Sequence, residues 1–158
     1  MAKVSINIAT GSVQKEEVIV GIDLGTTNSL VAFINPEGKP QVINDTGKGV
    51  LVPSVVHFQT DGGLIVGNEA KEYLISDPQN TIFSVKRLLG RSFKDIQEHS
   101  DLFSYKIIDE DSETLVKIKA GDKYFTPIEL SGMILKELKE RAEHALKTAV
   151  NRAVITVP

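Results

Sequence analysis

Residues Gly21, Ile22, Asp23, Leu24, Gly25, Thr26, Thr27, Asn28 and Ser29 follow one another, and these types in this order suit a phosphate group. An apolar run delivers Asp23 to its end. Gly25 lets the backbone turn and approach a ligand closely. Thr26, Thr27, Asn28 and Ser29 offer hydroxyls, an amide and successive backbone N–H groups, a concavity that fits phosphate oxygens. A carboxylate beside it suits Mg²⁺, which keeps several of its waters. The string is not a P-loop, because no second glycine is followed by lysine and then serine or threonine. A polar hairpin turn with a solvated aspartate has the same composition, and spacing alone leaves both readings open.

The elements around the string must position it. Residues 18–23 and 29–34 are short apolar runs flanking the turn, which predicts a β-hairpin. The turn signal at 35–38 predicts a third strand at 41–43, in meander order. Pro53 is expected to mark a break. Residues 54–58 and 64–66 flank Asp61, Gly62 and Gly63, a second hairpin signal. Short helices are expected over 68–75 and 80–89, the first ended by Asp77 and Pro78 and the second by Gly90. Residues 101–112 are acidic and expected to be partly exposed. Residues 115–119 and 123–125 flank Gly121 and Asp122, a third hairpin signal.

Thr126, Pro127, Ile128 and Glu129 form a capping box with proline at the first helical position. Leu130, Ile134, Leu138, Ala142, Ala145 and Ala149 then recur at helical spacing, so the helix is expected to reach about residue 150. Residues 153–157 read as a strand. Strand–helix–strand order implies a crossover to a parallel neighbour.

Composition narrows the function classes. The chain has 158 residues, enough for one domain with a core, and 41% of them are hydrophobic. The net charge of -3 gives no global basic field for nucleic acid. No cysteine is present, which removes thiolate nucleophiles and cysteine-held clusters from this stretch. No apolar run approaches the roughly 18 residues that span a bilayer. The first residues lack the layout of a signal peptide, so the cytoplasm is the expected location. His57, His99 and His144 have no metal-ligand spacing.

The string at residues 21–29 resembles the first phosphate-binding loop of the actin-like ATPases, and of the DnaK-type heat-shock chaperones in particular. Further matches follow in the same order. Residues 51–58, Leu-Val-Pro-Ser-Val-Val-His-Phe, resemble the family's entry into its small inserted subdomain. Val66, Gly67, Ala70 and Lys71 resemble the next segment. Residues 80–91 resemble the helix carrying the family's catalytic lysine. Residues 153–158 resemble a strand of the first lobe. The likeness runs over about residues 18–158. The tail before Val18, the wording of 51–57 and that of 84–97 are most similar to the HscA branch of iron–sulfur cluster assembly.

The resemblance implies an α/β fold: an incomplete, ribonuclease-H-like first lobe of an actin-like ATPase with an inserted small α/β subdomain. Residues 1–17 are then an N-terminal extension, 18–53 and 126–158 the partial core, and 54–125 the insertion. It implies ATP or ADP as ligand, with Mg²⁺ and potassium. Asp23 is expected to hold water ligands of Mg²⁺. Gly25, Thr26, Thr27 and Asn28 are expected to cradle phosphates, Asn28 through its backbone. Lys86 is the expected catalytic residue, since γ-phosphate cleavage needs charge neutralisation and a positioned water. Pro158 corresponds to a proline used in signalling between domains.

For the parent, the resemblance implies a Mg-dependent ATPase that couples hydrolysis to client binding. A J-domain cochaperone and an iron–sulfur scaffold client are the implied partners, with neither nucleic acid nor membrane. The resemblance implies that the second phosphate loop and the substrate-binding domain lie outside this stretch, so the chain alone is not expected to be competent. A monomer, or weak self-association through an open sheet edge, is expected. Alternatives are a general folding chaperone, a small-molecule kinase of the same superfamily, and a non-catalytic binding module.

Overall fold

The fold is that of a computed structural model, which describes residues 4–7, 12–15, 17–44, 49–108 and 115–156. β1 (Val4–Asn7) and β2 (Ser12–Lys15) pair antiparallel with each other. β3 (Ile19–Asp23), β4 (Asn28–Ile34) and β5 (Pro40–Val42) then form the expected meander. Val20 and Ile22 point inward from β3 while Ile19, Gly21 and Asp23 stay exposed, the alternation of a half-buried strand.

β6 (Val52–Pro53) pairs with β4, Pro53 with Asn28 and Val52 with Ser29, and the break comes after Pro53, where the chain bends at Ser54 and enters another sheet. A proline lacks the N–H, and a two-residue strand at a sheet margin tolerates that loss. β7 (Val55–Phe58) and β8 (Leu64–Val66) form the second hairpin. The helix expected over 68–75 is two single turns, α1 (Asn68–Lys71) and α2 (Tyr73–Ser76).

The helix expected over 80–89 is absent. Its first part is β9 (Thr81–Phe83), which adds to the other side of β7. Ser84 follows in the left-handed region at φ 57°, and residues Val85–Leu88 form a 3-10 turn. Ile82, Val85 and Leu88 recur every three residues and are all buried, a spacing that suits a 3-10 turn as well as an α-helix. Thr81 and Ile82 are β-branched and favour the pleated sheet.

α3 (Phe93–Ile96) is a single turn, and β10 (Lys106–Ile108), β11 (Lys117–Ala120) and β12 (Lys123–Phe125) make a three-stranded antiparallel sheet. α4 (Pro127–Leu146) begins with the expected capping box, in which Thr126 Oγ1 accepts from the Glu129 amide at 3.2 Å and Glu129 Oε2 accepts from the Thr126 amide at 2.7 Å. It ends at Leu146, about four residues earlier than expected, and its C-cap Lys147 has a φ of 51°. β13 (Arg152–Thr156) pairs parallel with β3 after this crossover.

Two apolar cores share α4. Ile134, Leu138 and Ala142 pack with Val20, Ile22, Val31, Val52 and Val56. Leu130 packs with Ile82, Val85, Leu88, Val116 and Ile118. Each fully buried Leu or Ile contributes about 1.5–3 kcal/mol relative to exposure, so one helix ties the meander to the segment that carries Lys86. The outer face of α4 carries the ion pairs Lys136–Glu140 and Lys139–Glu143. These are solvated and each contributes little.

Candidate functional site

The turn between β3 and β4 is held by a closed circuit of hydrogen bonds. The Gly25 amide donates to Ser29 Oγ at 3.1 Å. Ser54 Oγ donates to the Gly25 carbonyl at 2.8 Å. The two hydroxyl oxygens lie 2.9 Å apart. A hydroxyl has one proton, and that of Ser54 is committed to Gly25, so Ser29 donates to Ser54. The Ser54 amide also donates to the Thr27 carbonyl at 2.8 Å. Ser54 therefore clamps the turn from the segment beside it.

Gly25 fits this turn for a steric reason. A Cβ there would collide with the Asn28 carbonyl oxygen, a backbone atom that has little room to move. Its amide and carbonyl both belong to the circuit, so the turn presents its next three residues outward. Thr26, Thr27 and Asn28 line a cleft of about 370 Å³. Pro53, Ser54, Val55, Lys71, Leu74, Phe83, Ser84 and Ser104 complete the lining. Hydroxyls, a lysine and an apolar wall thus face one space, a mixture that suits an anionic ligand with an apolar body.

The two sequence-derived parts of the site approach each other here. Phe83 and Ser84 share the cleft with Thr26, Thr27 and Asn28, and Lys86 stands two residues beyond Ser84. Lys86 is half-buried on the 3-10 turn rather than on a helix, and it is not among the cleft-lining residues. Its segment is anchored by Tyr105, whose hydroxyl donates to the Phe83 carbonyl at 2.6 Å and whose ring meets Phe83 edge-on. Burial pushes the Tyr105 hydroxyl well above the ordinary tyrosine range, so it remains a donor.

Asp23 ends β3 at the sheet's margin, exposed, and Thr156 Oγ1 donates to its Oδ1 at 2.7 Å. Ligand sites of open α/β sheets gather at carboxyl ends of parallel strands, and Asp23 and Thr156 are the last residues of two such strands. Among the described residues, no three His, Cys, Asp or Glu side chains converge on one point. The donors present therefore fit a Mg²⁺ ion held through water by one carboxylate, not a cage of protein ligands. Pro158 lies outside the described residues. Ser54, Lys71, Ser84, Ser104 and Thr156 carried no sequence signal of a role in the site, because distant segments bring them to it.

His57 is buried, stacked on Tyr73 at 3.9 Å and 2.9 Å from Thr81 Oγ1. Thr81 donates to the Asp77 carbonyl at 2.7 Å, so His57 Nδ1 carries the proton that bonds Thr81. The histidine is thus packed into the fold.

Fold and cleft together define a mixed α/β protein with a cleft of mixed polar and apolar lining, built on a glycine turn at strand ends. Comparison with known proteins gives the particular family. Residues 19–158 match the family model described as Hsp70 protein, and the chain belongs to the Hsp70 family. It is similar to a chaperone protein HscA homologue of Acinetobacter baumannii (strain AYE), 47% identical over 91% of this chain and 22% of that protein. It is also similar to the chaperone protein DnaK of Carsonella ruddii (strain PV), 46% identical over 89% of this chain and 23% of that protein. The chain thus spans under a quarter of these relatives' length. Family membership implies the lobe of an actin-like ATPase. No helix among the described residues is long and apolar enough to cross a membrane.

Proposed function

We propose that the chain forms one wall of the nucleotide site in a chaperone that couples ATP binding and hydrolysis to its grip on a client. The observation that carries this reading is the shared cleft, where the Thr26–Asn28 turn faces the segment leading to Lys86. Thr26, Thr27 and Asn28 take phosphate oxygens, and Gly25 makes the turn possible. Asp23 holds water ligands of Mg²⁺. The ion, when bound, neutralises phosphate charge; potassium is the second cation of the reading. Lys86 offsets charge that develops on the γ-phosphate and orients the attacking water.

In this reading residues 18–53 and 126–158 belong to a ribonuclease-H-like core and 54–125 to its insertion. The protein works in the cytoplasm. One wall makes few of the contacts a nucleotide needs, so this chain alone binds Mg-ATP weakly. Calorimetry at micromolar concentrations tests that point, and saturable heat would contradict it.

The branch rests on the wording of the sequence. We assign the parent to iron–sulfur cluster assembly, with a scaffold protein as client and a J-domain cochaperone as stimulator. The wording of residues 51–57 and 84–97 supports this, while the similar identity to a DnaK supports a general folding chaperone. ATP turnover by the full-length parent separates them. Stimulation by an iron–sulfur scaffold with its cochaperone, and not by an unfolded model protein, supports the first; the reverse supports the second.

A further inference from the structure

Asp23 and Thr156 are register partners at the ends of the parallel pair β3 and β13. Thr156 Oγ1 donates to Asp23 Oδ1 at 2.7 Å. Both side chains are exposed, so water competes for this bond and its contribution to stability is small. Its effect on orientation is larger. Threonine is β-branched and stiff at χ1, and strand pairing fixes the direction in which it leaves the backbone. The donor is therefore held in place by the ladder. A carboxylate rotates broadly about its last bond, and a fixed donor on Oδ1 removes most of that freedom.

We propose that Thr156 is a positioning residue for the cation side of the nucleotide site. Its hydroxyl holds the Asp23 carboxylate in the orientation that accepts the water ligands of Mg²⁺. The inference rests on the reading of Asp23 given above. Partners of this kind, which orient a metal-site group without touching the metal, commonly change metal affinity by about 10–100-fold. A contact acting through water belongs at the lower end.

The test uses the full-length parent and ADP affinity measured by calorimetry, in EDTA and across a Mg²⁺ titration. Thr156→Val removes the hydroxyl and keeps the branched shape; Thr156→Ser keeps the donor. Thr156→Val is expected to raise the Mg²⁺ concentration needed for half-maximal tightening of ADP by about ten-fold. Its ADP affinity in EDTA stays at the wild-type value, and Thr156→Ser stays close to wild type in both conditions. Wild-type Mg²⁺ dependence in Thr156→Val, beside an Asp23→Asn variant that has lost it, overturns the positioning role and leaves the nucleotide reading intact. Wild-type Mg²⁺ dependence in Asp23→Asn overturns the reading of Asp23 itself.

Discussion

Ser29 and Ser54 stand 25 residues apart in sequence, and their hydroxyl oxygens meet at 2.9 Å. The bond runs from Ser29 to Ser54, because the Ser54 proton is already given to the Gly25 carbonyl. Ser29 is 1% exposed and Ser54 2%. The serine pair is therefore sheltered from water, and the circuit sets the shape of the turn that faces the cleft.

Ser54→Ala removes one member and leaves Ser29 and the Gly25 carbonyl without it. An unsatisfied buried polar group costs about 1–3 kcal/mol. Chemical denaturation of this chain should show a loss of that size. Ser54→Thr, which keeps the hydroxyl, should lose less. An unchanged denaturation midpoint in Ser54→Ala would show that water replaces the hydroxyl without loss.

Gly25→Ala and Gly21→Ala make a matched pair. A Cβ at Gly25 would collide with the Asn28 carbonyl, whereas at Gly21 nothing lies within 4 Å. Gly25→Ala should destabilise the chain by more than about 2 kcal/mol, the scale of a forced backbone shift. Gly21→Ala should stay within about 0.5 kcal/mol of wild type. Equal stability of the two variants would remove the steric account of Gly25.

The helix cap predicts a pH dependence. The Thr126 amide, and then its hydroxyl, hold the Glu129 carboxyl below the ordinary glutamate range. A carboxyl depressed in the folded state contributes stability that is full above its unfolded value, about 4.3. That contribution is lost as pH falls from there through the lower folded value. Glu129→Gln should therefore show a shallower fall of Tm in this acid window than wild type, with matching slopes near neutrality. Identical acid slopes would mean that the cap does not titrate.

Much of the fold was legible because local chemistry agreed with the outcome. The apolar runs around Gly25 gave the hairpin, and Thr126, Pro127 and Glu129 gave the start of α4. The region around Lys86 was misread because Ile82, Val85 and Leu88 match a helical stripe while β9 is made by pairing Thr81 with the distant His57. Tertiary pairing overrides local periodicity in such a short segment. The left-handed Ser84 that ends the strand has no sequence signal, since serine carries no special preference for that conformation. The site was legible where residues are adjacent, at Asp23 to Asn28. Ser54 and Thr156 act on that stretch only through strand register, which a linear reading does not supply.

The most direct measurement is single-turnover ATP hydrolysis by the full-length parent, wild type against Lys86→Ala, with ATP affinity measured on the same preparations. The expected result is a hydrolysis rate lowered by about 10²-fold or more, the scale of losing one charge-stabilising group, with much of the ATP affinity retained. Comparable single-turnover rates in the two proteins would contradict the assignment of Lys86 and, with it, the reading of this cleft as the wall where the γ-phosphate is cleaved.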